Sequence, residues 1–132
     1  MELKNIVQQF LDINEKNIIL KQLNNGLIND TFLVENTENQ SQFILQKINT
    51  NVFKNPYHIV ENHFIINNIL TKNGYSKTIA KPIKTLNGNL LDETENQWRL
   101  QEFIPNCKTF LKVPNEDIAY ESARLLSEFY FC

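Results

Sequence analysis

The sequence predicts an α+β domain built on a five-stranded antiparallel sheet with one long helix crossing it. Two observations lead there: three β-like runs succeed one another with only short turns between them, and a capped helical stretch separates them from further β-like runs. With 132 residues, 42% of them hydrophobic and 21% charged, the chain suits one folded lobe better than two domains or a disordered tract.

Each element has a local signal. Ile6, Val7, Phe10 and Leu11 recur at the spacing of one helix face, so a short amphipathic helix opens the chain and covers one side of the sheet. Residues 18–23, 31–35 and 42–48 then alternate as strands, separated by Asn/Gly-rich and Asn/Gln/Ser-rich turns. Asn55-Pro56 opens the crossing helix, with Asn as cap and Pro in the first turn, and Gly74 closes it. Residues 78–85 and 89–92 flank Asn87-Gly88, a pair suited to a tight hairpin, and residues 97–103 form the last strand. Pro105 and Pro114 bracket a connector. Asn115 caps a final helix whose first turn carries Glu116 and Asp117, favourable beside the helix dipole. That helix runs through Ile118, Leu125, Leu126 and Phe129 to Cys132 without a glycine stop, reads as cut off, and calls for a partner on its apolar face. A helix docked back on the sheet, or a contact between two copies, would also cover it. Asn is abundant, and composition alone gives no reason for it.

Composition excludes several classes. A formal charge of −2 without a Lys/Arg cluster gives no electrostatic basis for binding nucleic acid or an anionic membrane. No run approaches the roughly 20 apolar residues of a membrane span, and the N-terminus has no signal-peptide core, so a cytoplasmic protein is expected. Cys107 and Cys132 form neither a CxxC pair nor a disulfide framework and read as free thiols. His58 and His63 stand five apart, off the one-face spacing that a zinc helix needs, so no metal site is expected there. Asp92, Glu93 and Glu95 read as a solvated turn cluster.

One pair suggests chemistry. Lys47 ends the third strand and Glu61 lies just inside the next helix. Kinases hold a strand lysine with a helical glutamate to aim its ammonium at the nucleotide phosphates. By spacing alone, the same pattern describes any solvated strand lysine followed by a helical glutamate. The turn from Asn24 to Thr31 contains a single glycine and is neither a GxGxxG loop nor a P-loop.

Taken together, Gly26-Leu27-Ile28-Asn29-Asp30-Thr31-Phe32, Phe43-Ile44-Leu45-Gln46-Lys47-Ile48-Asn49, Asn51-Val52-Phe53-Lys54-Asn55-Pro56, Glu61-Asn62 and Trp98-Arg99 resemble the aminoglycoside phosphotransferase/choline kinase superfamily. The nearest branch is that of N-acetylhexosamine 1-kinase-like phosphotransferases. The resemblance implies a protein-kinase-like N-lobe over residues 1–103, followed at 104–132 by the hinge connector and first helix of an incomplete C-lobe. It places Gly26, Ile28, Asn29, Asp30 and Thr31 over the phosphates of ATP, Lys47 on their oxygens, and Glu61 on Lys47. It assigns Gln101, Glu102, Phe103 and Ile104 to the hinge beside the adenine edge, with Val34 and Leu45 against its face. Leu27 departs from the family's G-H-I-N-D-T pattern, which removes a polar contact. The catalytic aspartate, the Mg²⁺ ligands and the residues that choose the hydroxyl substrate belong to the C-lobe, so this chain alone is expected to bind nucleotide without turnover. A stand-alone module using the same lobe for binding or regulation, with its last helix on a partner chain, is the alternative.

Overall fold

The computed structural model describes residues 2–23, 28–108 and 110–130. It is an α+β fold of three α-helices and a five-stranded antiparallel sheet. Helix α1 (Leu3–Phe10) leads through a short 3-10 turn to β1 (Ile18–Leu23), β2 (Asp30–Asn36) and β3 (Ser41–Lys47). Helix α2 (Pro56–Lys72), β4 (Pro82–Ile83), β5 (Trp98–Glu102) and α3 (Glu116–Tyr130) complete it. The sheet order is β1-β2-β3-β5-β4.

Register decides which side chains share a face. Leu45 stands opposite Phe32 and Leu100, and Lys47 opposite Asp30 and Trp98. Because alternate residues point to alternate faces, Lys47 shares the face of Leu45 and Phe43. That face is apolar: Ile18, Val34, Leu45, Trp98 and Leu100 form one buried core with Ile6, Val7 and Phe10 of α1. The seat of α1 is fixed further by the Leu86 amide, which donates to the Gln9 carbonyl at 2.8 Å. The opposite face carries Thr31, Gln46, Arg99 and Gln101, and α2 lies on that side, with His63, Ile66, Asn67 and Leu70 facing Arg99 and Gln101 across a cavity. A second small core of Ile48, Val60 and Leu91 joins α2 to the loop before β5.

The boundaries have local causes. Helix α2 ends on Gly74 at φ +73°, where the Gly74 amide donates to the Thr71 carbonyl and the Tyr75 amide to the Leu70 carbonyl, the double bond of a Schellman cap. Asn55 precedes Pro56 as expected, but its side chain makes no capping bond. Asn115 does cap α3, accepting from the Ile118 amide at 2.9 Å. The abundance of asparagine acquires a reason: Asn14, Asn36, Asn39 and Asn49 each accept from the amide two residues on, closing a turn at a strand or helix boundary.

The long hairpin expected over 78–92 shrinks. Asn87-Gly88 does turn tightly, with Thr85 and Asn89 joined at 2.8 Å, but only Pro82 and Ile83 pair with β5, and residue 92 forms an isolated bridge to Trp98. Pro82 has no amide to donate and therefore suits an edge strand. That bridge also removes Asp92 from the expected solvated cluster: it is 7% exposed, and its Oδ1 accepts from Thr94 at 2.8 Å. No described residue of α3 is buried; Phe129 meets Tyr75 edge to face at 6.3 Å and Glu128 pairs with Lys77 at 3.9 Å. Among the described residues no helix is long and apolar enough to cross a membrane.

Leu45 has no exposed surface and sits between strands and α1, so Leu45→Ala is expected to cost about 2–5 kcal/mol. Urea unfolding measures this, and a loss below about 1 kcal/mol would contradict the packing assigned to α1.

Candidate functional site

At the end of the sheet where β2 begins and β3 ends, the residues singled out in the sequence meet. Ile28, Asp30, Lys47, Asn49, Asn51 and Gln97 line an open polar pocket of about 480 Å³. Lys47 Nζ stands 3.8 Å from Asp30 Oδ2, its cross-strand neighbour, with the two side chains 39% and 58% exposed. An exposed pair at that separation contributes at most about 1 kcal/mol and leaves the ammonium free to turn to another anion.

Glu61 is not its partner. No ion pair joins Lys47 and Glu61; the Glu61 carboxylate instead accepts from His58 Nδ1, one turn back on α2, at 3.1 Å. The cause is the register: Lys47 belongs to the face packed by α1, whereas α2 lies toward the other. The same register closes Val34 and Leu45 to any ligand, since both are 0% exposed within the core. Of the residues expected at a hinge, Gln101 and Ile104 line the cavity on the α2 side, while the Glu102 and Phe103 amides are already engaged by the Lys81 and Gln42 carbonyls at 2.9 and 3.2 Å. Gly26, together with Asn24, Asn25 and Leu27, lies outside the described residues.

What does bring the sequence motifs together is a row of hydrogen bonds. Thr31, Gln46 and Arg99 are direct cross-strand neighbours on β2, β3 and β5. Arg99 Nε and Nη2 both donate to Gln46 Oε1, at 2.9 and 2.6 Å, and Gln46 Nε2 donates to Thr31 Oγ1 at 3.1 Å. Thr31 Oγ1 in turn reaches the Asn29 carbonyl at 3.5 Å. Asn29 Oδ1 accepts from the Asn49 amide at 2.7 Å, and Asn49 Nδ2 donates to the Ile28 carbonyl at 3.3 Å. The chain of contacts anchors the end of the β1–β2 connection to β3 and to the start of the β3–α2 connection. Sequence reasoning singles out Asn29 and Thr31 but misses Gln46, Asn49 and Arg99 as working members; the signal is polar residues at matching positions on adjacent strands.

Two groups on the α2 side carry shifted ionisation. Burial lowers the pKa of the Arg99 guanidinium, which nonetheless stays charged. For His63, burial pushes the pKa down, the hydrogen bond to Ala80 pushes it up, and the charge of Arg99 adds to the downward push; the net direction is down. His63 Nε2 lies 2.8 Å from the Ala80 carbonyl, and since a carbonyl only accepts, Nε2 carries the proton. No group of three or more His, Cys, Asp or Glu among the described residues could hold a metal ion.

A lowered folded-state pKa means that the unfolded chain takes up the His63 proton first. The stability this contributes is complete above the ordinary histidine value of about 6.5 and is lost as pH falls through it. Urea midpoints are expected to drop between pH 7.5 and 5.5, and to drop less in His63→Gln; an equal drop in both proteins would assign the effect to other groups. No known protein-family model matches the chain.

Proposed function

We propose that the chain is the ATP-holding lobe of a phosphotransferase that acts on a small-molecule hydroxyl, a sugar's in the nearest branch it resembles. The reading is supported by order and position. A turn between the first two strands, a lysine on the third strand and a glutamate on the helix after it are the parts with which kinases position a nucleotide. One observation carries it: Lys47 opens into the same polar pocket as Ile28, Asp30 and Asn49, beside a β1–β2 connection that Asn29 and Thr31 tie to β3.

ATP supplies the transferable phosphoryl group in such chemistry. To its phosphates the Lys47 pocket offers one cation in an open polar setting, with the Asp30 and Glu95 carboxylates also on its lining. Adenine does not fit against Val34 and Leu45, which the core has closed. Within this reading Lys47 neutralises charge on phosphate oxygens after exchanging Asp30 for them. Mg²⁺ would enter with the phosphates, and the described residues contribute no cluster of their own to hold it. Proton acceptance from the hydroxyl is not assigned to this chain.

A second reading has its own support. With Lys47 on Asp30, Glu61 on His58 and the adenine face filled by α1, a non-catalytic binding or regulatory module needs none of these contacts rearranged. Calorimetry with a non-hydrolysable ATP analogue separates the two. The first reading expects measurable binding that weakens by about tenfold, or about 1.4 kcal/mol, in Lys47→Ala. Absence of binding in the folded wild-type chain would leave the regulatory reading, and binding indifferent to Lys47→Ala would remove that residue from the site.

A further inference from the structure

Polar side chains from three separate stretches of chain border one open cleft of about 640 Å³. Gln9 comes from α1, Tyr57 from the first turn of α2, and Asn87, Asn89 and Glu93 from the segment between β4 and β5. All five residues are exposed, and among the described residues none of their side-chain polar atoms has a hydrogen-bond or ion-pair partner.

The walls are held by other bonds. The Thr85 amide donates to the Asn89 carbonyl at 2.8 Å, and the Gly88 amide to the Thr85 carbonyl at 2.9 Å. The Asn89 amide donates to Thr85 Oγ1 at 2.9 Å, and the Leu86 amide fixes the turn to the Gln9 carbonyl at 2.8 Å. In the loop before β5, Thr94 Oγ1 donates to Asp92 Oδ1 at 2.8 Å. Backbone and hydroxyl groups thus hold the walls and leave the side-chain amides unused, so a ligand does not have to order a loose turn before it binds.

The lining selects among ligand classes. It contains no Lys, Arg or His among the described residues, so nothing there compensates a phosphate or carboxylate. No group of three or more His, Cys, Asp or Glu among the described residues could hold a metal ion. An apolar ligand would cut the amides off from water without replacing its hydrogen bonds. Each carboxamide, by contrast, presents an N–H donor and a C=O acceptor side by side, and Glu93 accepts at two oxygens. Adjacent hydroxyls, each able to donate and accept, match that set. The Tyr57 ring, 45% exposed, adds a flat apolar face for the C–H side of a sugar ring.

We propose that this cleft binds a neutral sugar, with the carboxamides of Gln9, Asn87 and Asn89 and the Glu93 carboxylate on its hydroxyls and Tyr57 against its face. The volume falls within the range of about 300–1,000 Å³ usual for small-ligand sites, and the open shape admits a free sugar or the end of a glycan chain. The cleft shares no lining residue with the Lys47 pocket, whose part of the same loop begins at Glu95. The inference therefore does not rest on the nucleotide reading.

NMR titration of the full chain with glucose, maltose or diacetylchitobiose, without nucleotide, tests it through the side-chain amide signals of Gln9, Asn87 and Asn89. These signals are expected to move saturably, with a Kd on the order of 1 mM, while the amide signals of Gln46 and Asn49 stay in place. Affinity falls about fivefold in Tyr57→Ala and in Asn89→Ala, both exposed positions, and is largely kept in Tyr57→Phe, which retains the ring. Tighter binding of the disaccharides identifies a glycan chain as the source, and equal binding a free sugar. The absence of a saturable shift with all three saccharides, an affinity unchanged in both alanine variants, or an equal response to inorganic phosphate or to putrescine overturns the proposal.

Discussion

The contact between Arg99 and Gln46 constrains the rest of the sheet. A charged side chain and an amide in the middle of a sheet must find each other or lose the hydrogen bonds that water gave them. They do so across β3 and β5, at 2.6 and 2.9 Å, and Thr31 extends the row to β2. A slip of one residue in either strand would turn Arg99 or Gln46 into the face where Leu45, Leu100 and Val34 pack against α1. The polar row thus fixes the register, and the register fixes which face α1 closes.

That division has two consequences for function. Lys47, at the end of the sheet, points to the α1 face and opens into a pocket shared with the β3–α2 connection, whereas the Arg99 cavity belongs with the α2 face and with Gln101 and Ile104. Cations therefore serve two separate regions, one open and paired with Asp30, the other recessed and paired only with an amide. Asn29 and Asn49 connect them, since the hydrogen-bond row that begins at Arg99 ends at the backbone beside Lys47.

The helices and first three strands are legible in the sequence because their causes are local. Ile6, Val7 and Phe10 mark a helix face, Asn115 accepts from Ile118 as a cap should, and Gly74 supplies the positive φ that ends α2. The face assignment is not legible. Phe43, Ile44 and Leu45 are apolar in succession, so alternation cannot say which side the core takes, and Lys47 can be read toward α2 as readily as away from it. The hairpin over 78–92 looks longer in the sequence than it is, because turn chemistry at Asn87-Gly88 says nothing about how far pairing extends beyond it. Asp92 looks solvated because its burial comes from a bridge to Trp98, a contact that no local pattern announces. The asparagines, unexplained as composition, acquire their role only where strand ends and turns are seen.

The most direct measurement of this constraint is a double-mutant cycle on Gln46 and Arg99, read by urea unfolding with Gln46→Leu, Arg99→Met and the pair. The paired hydrogen bonds to a charged group predict a coupling of about 1.5–3 kcal/mol, with the double variant losing far less than the two single losses added together. Additivity to within about 0.5 kcal/mol would show that the two side chains act independently, and the register would then need another cause.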